Sequence, residues 1–502
     1  MTQGPPPAAS TGSGVERTGR AAVAIIGGGV AGLSAAFLLR DAGLTVTVLE
    51  GSPRLGGKLA VSEVAGVPVD AGAEALLARR PEGTGIIAEL GLAGELEVPG
   101  TTSAGIWTRG RVRPLPRRQF MGVPADFDEL AASGIVSPRG VARARQDRSL
   151  PASEPAADES VTTRVGGRLG TEVVDRLVEP LLGGVYAGRC EDLSFEATLP
   201  ALAKAAHEHG SLADAAASLL PRPADRDADG AAQPASPVFT TLTRGLGGLP
   251  AALAAASGAV VRTSAMVREL TRTGTGWRLT VGSAHAPEWL DADAVILAVP
   301  ATPAGRLLAG AAGRVPPAGQ AAAALVEIKY ASMAIVTLAY PVHAFAGPLT
   351  GSGFLVPPVD GRAVKAVTFS TVKWPHLRRE QPAAHVVRCS VGRLGEDGVL
   401  QRDDADLAAL AAADLAAAIG VRGNPVDARV TRWGGGLPQY SVGHLDRVAR
   451  IRAAIAAAPG LAVCGAAYDG VGIPACIATA RLAADQVLGY LGSHGTAARA
   501  PQ

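Results

Sequence analysis

The sequence has few cysteines, few aromatic residues and almost no net charge, and each shortage excludes a class of protein. Only Cys190, Cys389, Cys464 and Cys476 occur in 502 residues, and no two have C-x-x-C spacing, so neither a disulfide framework nor a zinc site is indicated. Reduced thiols suit the cytoplasm. Aromatic residues make up 4% of the chain and the formal net charge is +2, so a nucleic-acid partner is not expected.

One apolar run is long enough to suggest a membrane anchor, but its glycines favour another structure. No residue from 21 to 39 is charged, which reaches the roughly 18 apolar residues of a spanning helix. Glycines at 27–29 would weaken such a helix. β-branched residues precede them and helix formers follow, so the run predicts a strand, a tight turn and a helix. The Pro-, Gly- and Ser-rich residues 1–20 predict a disordered leader rather than a secretion signal.

The predicted turn has the spacing of a dinucleotide-binding motif. Gly27, Gly29 and Gly32 match G-x-G-x-x-G, in which the glycines allow the turn, the approach of a diphosphate and close helix packing. A second predicted strand ends at Glu50, 18 residues after Gly32, where such motifs place an acid that binds a ribose hydroxyl. A βαβ unit without a ligand is the alternative.

The rest of the chain alternates helical and strand-like stretches, and its length predicts more than one domain. Residues 80–209 are charged and predominantly helical in pattern, and residues 220–237 are of low complexity. The remaining predictions are strands at 259–270, 277–282, 291–300 and 365–372, a helix at 403–419, and a second strand, glycine-rich turn and helix at 460–488.

Several motifs, taken in order, resemble the flavin-dependent amine oxidase superfamily, and within it the porphyrinogen oxidases. After the glycine motif come RLGGK (54–58) and DAGAEALLARRPE (70–82), followed by DESVTTRVGGRLGTEVVDRLVEPLLGGVYAGRCEDLSFEATLP (158–200). Further matching stretches are TLTRGLGGLPAAL (241–253), GSGFLVPP (351–358), RWGGGLPQY (432–440) and YDGVGIPACI (468–477). The resemblance covers about residues 21 to 490. Ala475 and Asp469 depart from the common pattern, which puts substrate contacts from that turn in doubt.

The resemblance implies an α/β fold in three interleaved parts: a Rossmann-like FAD-binding domain of the p-hydroxybenzoate hydroxylase and amine oxidase type, an α+β substrate domain, and a helical domain similar to a membrane-binding domain. The implied boundaries are a leader at 1–20, the FAD-binding domain at 21–78, 238–302 and 428–490, the substrate-binding domain at 79–95 and 303–427, the helical domain at 96–210, a mobile loop at 211–237 and a tail at 491–502.

The resemblance also implies FAD as the cofactor and a set of residues that bind it. The glycine turn would bind the diphosphate, Glu50 the ribose, and Val267 the adenine through its backbone, while the remaining residues would lie near the turn or the flavin ring. The full set is Gly27, Gly28, Gly29, Val30, Ala31, Gly32, Glu50, Arg54, Lys58, Gly72, Ala73, Glu74, Ala75, Val267, Trp433, Gly465, Val471, Gly472 and Ile473.

The implied activity is an oxidase that acts on CH–CH groups, with a porphyrinogen as substrate and dioxygen as acceptor, in heme biosynthesis. Coproporphyrinogen III is favoured because the Ala-, Gly- and Arg-rich composition is similar to that of actinobacterial relatives, and Ala104 stands near the position where protoporphyrinogen-specific relatives have an arginine. Arg79 and Arg80 are predicted to bind propionates. The arginine cluster at 109–118 could equally be a solvated basic face. No catalytic acid or base is assigned.

Three functional alternatives stay open: oxidation of protoporphyrinogen IX, a flavin amine oxidase, and a non-catalytic FAD-binding protein. The chain is expected to work in the cytoplasm and to be soluble without detergent, while peripheral contact with the inner face of the cell membrane, transfer of product to a ferrochelatase, and the oligomeric state stay open. No metal is expected.

Overall fold

The structure is a computed structural model that describes residues 19–151, 158–221, 237–380 and 383–497. The predicted leader therefore lies almost entirely outside the described residues, as does most of the low-complexity stretch.

The strands within these residues are β1 Ala22–Ile26, β2 Thr45–Leu49, β3 Val61–Val64, β4 Val67–Asp70, β5 Leu76–Leu77, β6 Leu96–Glu97, β7 Gly105–Thr108, β8 Arg111–Pro114, β9 Gln119–Phe120, β10 Val123–Pro124, β11 Phe239–Leu242, β12 Val260–Arg262, β13 Val267–Arg272, β14 Trp277–Gly282, β15 Pro287–Ala292, β16 Ala294–Leu297, β17 Tyr330–Pro341, β18 Gly353–Leu355, β19 Val364–Phe369, β20 Ala384–Val391, β21 Asp427–Pro438 and β22 Leu461–Val463.

The α-helices are α1 Val30–Leu38, α2 Pro81–Glu89, α3 Phe127–Ser133, α4 Pro138–Arg145, α5 Gly167–Leu169, α6 Thr171–Val173, α7 Glu179–Tyr186, α8 Phe195–Thr198, α9 Pro200–Glu208, α10 Leu212–Ser218, α11 Leu249–Ser257, α12 Ala301–Ala311, α13 Pro316–Val326, α14 Ser370–Lys373, α15 Pro375–Glu380, α16 Asp404–Ile419, α17 His444–Ala456 and α18 Ile473–Ala497. Two π-helical turns, Thr162–Gly166 and Val174–Val178, adjoin α5 and α6.

A five-stranded parallel sheet carries the glycine turn. Its strand order is β12-β2-β1-β16-β22, so strands from distant parts of the sequence lie side by side. One face packs against α1, α11 and α18, and the other against the β13-β14-β15 sheet and helices α12, α13 and α17. Burial on both faces explains why β1 and β16 are continuous apolar runs.

A seven-stranded mixed sheet forms the second layered unit, in the order β21-β17-β20-β19-β18-β7-β8. Neighbouring strands are antiparallel except for β18 and β7. The alanine-rich helix α16 packs Leu407, Ala411 and Leu415 onto the apolar core of this sheet.

Helices α3–α10 enclose a third core, which is fastened by a buried ion pair between Asp147 and Arg168. The guanidinium of Arg168 also donates to the carbonyls of Pro151 and Gly210 at 2.7 Å each. These contacts join the ends of three helical stretches.

Several segments lie in a different unit from the one predicted. Strands β7 and β8, predicted within the helical domain, pair in the seven-stranded sheet, and β21, predicted within the FAD-binding domain, is the edge of that sheet. Conversely α2, α12 and α13, predicted in the substrate domain, pack into the two cores of the five-stranded sheet. These placements depend on strand pairings and helix contacts between residues that are far apart in the sequence, and a local hydrophobic pattern does not predict them.

Local differences are smaller. The predicted loop 211–237 begins with α10. Ser211 caps this helix, because its hydroxyl accepts the backbone N–H of Asp214, and the apolar residues of the helix are buried. Residues 491–497 of the predicted tail continue α18. The stretch 259–270 divides into β12 and β13 around Ser264, whose φ is 52°, and the strand predicted at 365–372 ends at Phe369, where α14 begins.

No α-helix in the described ranges combines the length and apolar character needed to cross a bilayer.

Candidate functional site

The glycine turn connects β1 to the N-terminus of α1, and its three motif glycines differ in how tightly they are packed. Gly27 has φ 111°, and a Cβ there would lie 2.7 Å from the Ala298 carbonyl oxygen. A Cβ on Gly32 would lie 2.0 Å from the Gly27 oxygen. Gly29 has an extended backbone, and a Cβ there would meet no described atom within 4 Å. The turn and the helix packing thus require Gly27 and Gly32, whereas Gly29 borders open space.

Glu50, at the end of β2, lies beside this turn. Its Oε2 accepts the backbone N–H of Gly28 at 2.7 Å and its Oε1 that of Ser52 at 2.8 Å. Gly28 has no room for a side chain, because a Cβ would lie 2.9 Å from the Glu50 Cβ. The structure therefore brings Glu50 to the glycine turn, as the motif spacing predicts.

The loop 54–58 lies against the same turn. Gly29 and Gly56 form an isolated parallel bridge, and Arg54 donates to the Gly57 carbonyl at 2.8 Å. Lys58 is accessible to solvent yet surrounded by protein, and this desolvation lowers the pKa of its ammonium group.

Trp433 on β21 closes the far side of this loop. The guanidinium carbon of Arg54 lies 5.7 Å from the centroid of the Trp433 ring, and the indole Nε1–H donates to the Ala71 carbonyl at 3.0 Å. A Cβ on Gly72 would lie 1.9 Å from the Lys58 oxygen and 3.1 Å from Trp433 Cζ2. Gly72 is therefore required where the two segments and the indole meet.

Glu74 is held by two cations. Lys373 Nζ lies 2.7 Å from Glu74 Oε1, and Arg388 pairs with Oε2. Burial alone would raise the pKa of Glu74, but the charges of Lys373 and Arg388 lower it to about 2. Glu74 is thus an anion at neutral pH. Its neighbours in the predicted set, Ala73 and Ala75, are half-buried.

A small cavity of ≈ 10 Å³ lies behind this cluster and is lined by Asp70, Glu74, Ser370, Trp374 and Arg388, among others. It has room for about one water molecule. Burial raises the pKa of the Asp70 carboxyl to about 6, although the N–H groups of Leu246 and Gly247 donate to it.

The C-terminal turn before α18 completes the arrangement. The hydroxyl of Tyr440 donates to the Ala466 carbonyl at 2.8 Å and accepts the Gly470 N–H at 2.7 Å, so one side chain spans the turn. Gly465, with φ 122°, lies next to Ala31 of α1. Gly472 is exposed at the start of α18, Val471 is half-buried, and Ile473 is buried.

His444 stacks on Tyr440 with a centroid distance of 3.8 Å and an interplanar angle of 13°. Its Nε2 donates to the Tyr468 carbonyl at 3.0 Å. Burial lowers the pKa of His444 to about 4, so the ring is neutral at physiological pH and supports the turn without a charge.

The predicted adenine contact, Val267, is buried at the start of β13 and packs in the same core as Ile26 and Leu49. Contacts between these segments connect the walls around the N-terminus of α1. The walls are the glycine turn (27–32), Glu50, the loop 54–58, the segment 72–75, Trp433 and the turn 465–473.

Arg79 and Arg80, which are predicted to bind propionates, are exposed. Arg80 already pairs with Glu82, with 2.8 Å between Nη2 and Oε1. The arginine cluster lies mainly on the β7–β8 hairpin at the sheet edge, where Arg109 pairs with Glu172 and lines a cavity of ≈ 480 Å³ on the helical unit. No described contact brings Arg79, Arg80 or the arginine cluster to the glycine turn.

Sequence reasoning missed Lys373, Arg388, Tyr440 and His444. Arg388 had a recognisable signal, since a single charge stands inside the apolar strand β20. The other three become informative only when their contacts are known.

The residues present fit FAD. Gly29 leaves open space at the N-terminus of α1, where backbone N–H groups favour a diphosphate, and Glu50 offers a carboxylate at the adjoining strand end. Gly465 adjoins Ala31 at the start of the same helix, and Gly72 lets its segment pack closely against Lys58 and Trp433.

Comparison with known proteins agrees with this geometry. The model of the family described as flavin containing amine oxidoreductase matches residues 30–488. The coproporphyrinogen III oxidase of Mycobacterium tuberculosis (strain ATCC 25618 / H37Rv) is 37% identical, over 92% of this chain and 96% of its own. That of Bacillus subtilis (strain 168) is 32% identical, over 94% and 99%.

Two solved structures extend the comparison. A candidate protoporphyrinogen oxidase from Exiguobacterium sp. 255-15 has a TM-score of 0.80 at 29% identity, over 94% of this chain and 99% of its own. A variant of putrescine oxidase has a TM-score of 0.67 at 18% identity, over 94% and 99%, and is similar in fold.

Proposed function

Because this chain belongs to the flavin-containing amine oxidoreductase family, we propose that it is an FAD-dependent oxidase that converts coproporphyrinogen III to coproporphyrin III. The predicted family, the fold class and FAD as cofactor are confirmed. The observation that carries the substrate is the similarity, over nearly the full length of both chains, to coproporphyrinogen III oxidases of Mycobacterium tuberculosis and Bacillus subtilis.

The roles of the cofactor-binding residues belong to the proposal. The glycine turn and the N-terminus of α1 bind the diphosphate, and Glu50 binds the ribose. Arg54 and Lys58 hold the loop beside the turn. The segment 72–75, Trp433 and the turn 465–473 enclose the flavin end, supported by the hydrogen bonds to Ala71, Ala466 and Gly470.

Bound FAD would supply the redox chemistry: an acceptor for a hydride from the substrate and a route for the electrons to dioxygen, which would be reduced to hydrogen peroxide. Conversion of a porphyrinogen to a porphyrin removes six hydrogens, so the substrate is oxidised three times. The chain binds and orients the macrocycle throughout, and no side-chain acid or base is assigned.

Substrate binding rests on carboxylate recognition. Coproporphyrinogen carries four propionates, and arginine forms bidentate hydrogen bonds with carboxylates. We assign this role to Arg79 and Arg80. The location of their segment supports the assignment. Leu77 of this segment pairs with Phe239 on β11. The Phe239 ring lies 5.8 Å from Lys373 Nζ, and Lys373 pairs with Glu74.

The setting of the reaction is also part of the proposal. We place the enzyme in the cytoplasm, with a porphyrinogen and dioxygen as its small-molecule partners. Peripheral contact with a membrane, product transfer to a ferrochelatase and the oligomeric state remain predictions.

One experiment separates the candidate functions. The purified protein is examined for flavin absorbance, then supplied with coproporphyrinogen III or protoporphyrinogen IX while porphyrin fluorescence is followed, and with putrescine while peroxide is followed. We expect bound flavin and faster turnover of coproporphyrinogen III. Faster turnover of protoporphyrinogen IX would overturn the substrate assignment, amine turnover alone would favour an amine oxidase, and bound flavin without turnover would favour a non-catalytic protein.

A further inference from the structure

The segment 71–74 is fixed at successive positions by residues from other parts of the chain. Trp433 on β21 donates to the Ala71 carbonyl at 3.0 Å, and Arg388 on β20 donates to the Gly72 carbonyl at 2.7 Å. The Ala73 N–H donates to the Lys58 carbonyl at 3.1 Å. Two of these three contacts come from the seven-stranded sheet, so the position of this segment depends on that sheet.

Arg388 contacts this segment at two positions, Gly72 and Glu74. One terminal nitrogen pairs with Glu74 and the other donates to Gly72, so the two arms of the guanidinium hold positions two residues apart. The side chain of Arg388 is 9% exposed and that of Glu74 is 14% exposed. A charge-assisted contact at this depth is weakly screened by salt, and its loss leaves a buried carboxylate with one cation fewer.

The Nε–H of the Arg388 guanidinium has no protein acceptor among the described residues. Arg388 lines the small cavity behind the cluster together with Ser370 and Trp374, whose Oγ and Nε1 also lack protein partners in the described part of the chain. The protein contacts of Arg388 are therefore directed to Gly72 and Glu74 and not to the strand next to it. This distribution is unlike that of an arginine that only stabilises its own sheet.

We propose that Arg388 is a positioning residue for the flavin site, acting through Gly72 and Glu74, with Lys373 as its weaker partner. The inference rests on the proposed function, which places residues 72–75 beside the flavin ring. Arg388 holds this segment as a fixed wall, and Lys373 pairs with the other carboxylate oxygen of Glu74.

The test compares full-length variants for FAD binding and for the absorption spectrum of the bound flavin. Arg388→Met should raise the Kd for FAD at least tenfold and shift the visible absorption maximum of the flavin that still binds. Arg388→Lys keeps the charge without the fork and should restore part of the affinity. Lys373→Met should have a smaller effect, because the Arg388 bond to Gly72 remains.

The matched control is Arg379→Met, because Arg379 lies on the neighbouring helix α15, pairs with Glu97 on β6 and has a side chain that is 62% exposed. It should leave both the Kd and the spectrum unchanged. Should Arg388→Met fail to fold, Glu74→Gln, which removes the charge at nearly constant shape, should change Kd and spectrum in the same direction.

Parent values of Kd and spectrum in Arg388→Met, or in Glu74→Gln if only that variant folds, would overturn the inference. Equal changes in Arg379→Met would do so too, because they would indicate general destabilisation. A parent protein that binds FAD but oxidises no porphyrinogen would refute the proposed function, and the Kd and spectrum would still decide the role of Arg388.

Discussion

The backbone N–H of Gly28 donates to Glu50 Oε2 at 2.7 Å, although the two residues are 22 positions apart. The same carboxylate accepts the Ser52 N–H, so Glu50 joins the glycine turn to the loop after β2. A residue predicted from its spacing to bind ribose is thus already part of the turn. A substitution at Glu50 should therefore affect both the predicted hydrogen bond to ribose and the conformation of the glycine turn.

Gly29→Val should separate cofactor binding from folding. A Cβ at Gly29 meets no described atom within 4 Å and the backbone is extended, so the variant should fold with a Tm close to that of the parent. Its side chain would occupy the space through which a diphosphate approaches the backbone, so flavin should be lost. The flavin-to-protein ratio and the Tm of the flavin-free proteins check both expectations.

Gly32→Ala is the contrasting control. Its methyl group would lie 2.0 Å from the Gly27 oxygen, so we expect a lower Tm even without flavin. A Gly29→Val protein that retains stoichiometric FAD would contradict the assignment of the diphosphate site.

Glu50→Gln should weaken FAD binding without abolishing it. Glutamine offers one acceptor oxygen where Glu50 uses two, and the charge-assisted bond to ribose is lost. A charge-assisted hydrogen bond contributes roughly 1.5–3 kcal/mol, or about 10- to 150-fold in Kd. Fluorescence titration of FAD measures the change, and a Kd equal to that of the parent would remove Glu50 from the ribose site.

Arg79→Ala and Arg80→Ala should raise KM for coproporphyrinogen III while leaving the flavin spectrum unchanged, if these residues bind propionates. Loss of a charge-assisted hydrogen bond at a partly wet site suggests about one to two decades in kcat/KM. Lysine should rescue in part, because it keeps the charge without the planar fork. Kinetics indistinguishable from the parent in both alanine variants would instead identify two solvated surface arginines.

The free energy of unfolding should decrease as the pH is lowered, partly because of His444. The pKa of this ring is about 4 in the folded protein against a usual 6.5, so between pH 6.5 and 4 the unfolded chain binds more protons. The contribution is therefore full above pH 6.5 and is lost as the pH falls to 4, by about 3 kcal/mol.

His444→Phe should flatten this part of the pH profile, although it also loses the bond to Tyr468. Denaturant unfolding at a series of pH values gives the slope, and exposed His207→Gln serves as the control. A variant profile parallel to that of the parent would show that another group is responsible.

The local part of the site was predictable and the distant part was not. Strand β1, the turn, helix α1 and Glu50 follow from hydrophobic pattern and glycine spacing within about 30 residues. Helix α16 is likewise found at 404–419, against a predicted 403–419, because capping and alanine content are local properties.

Placement in the fold depends on contacts that no local pattern contains. Strand β7 pairs with β18 some 250 residues later, and Arg388 reaches Glu74 over 314 positions. Helix α2 resembles any short amphipathic helix until Ile86 and Ile87 are seen against the core of the five-stranded sheet. Such pairings arise from tertiary packing, which overrides local preference.

The strand order of the five-stranded sheet has a consequence for how the protein is made. Its strands come from residues 22–26, 45–49, 260–262, 294–297 and 461–463, and α18 follows the last of them. A ribosome releases β1 and β2 long before their outer neighbours β12 and β16 exist, so the edges of this strand pair stay unpaired while more than 200 residues are added. Strand β16 then waits for β22, which begins at residue 461. Long-range parallel pairing of this kind is slow and leaves intermediates prone to aggregation. We expect the nascent chain to need protection by chaperones, and FAD to be acquired only after translation is nearly complete.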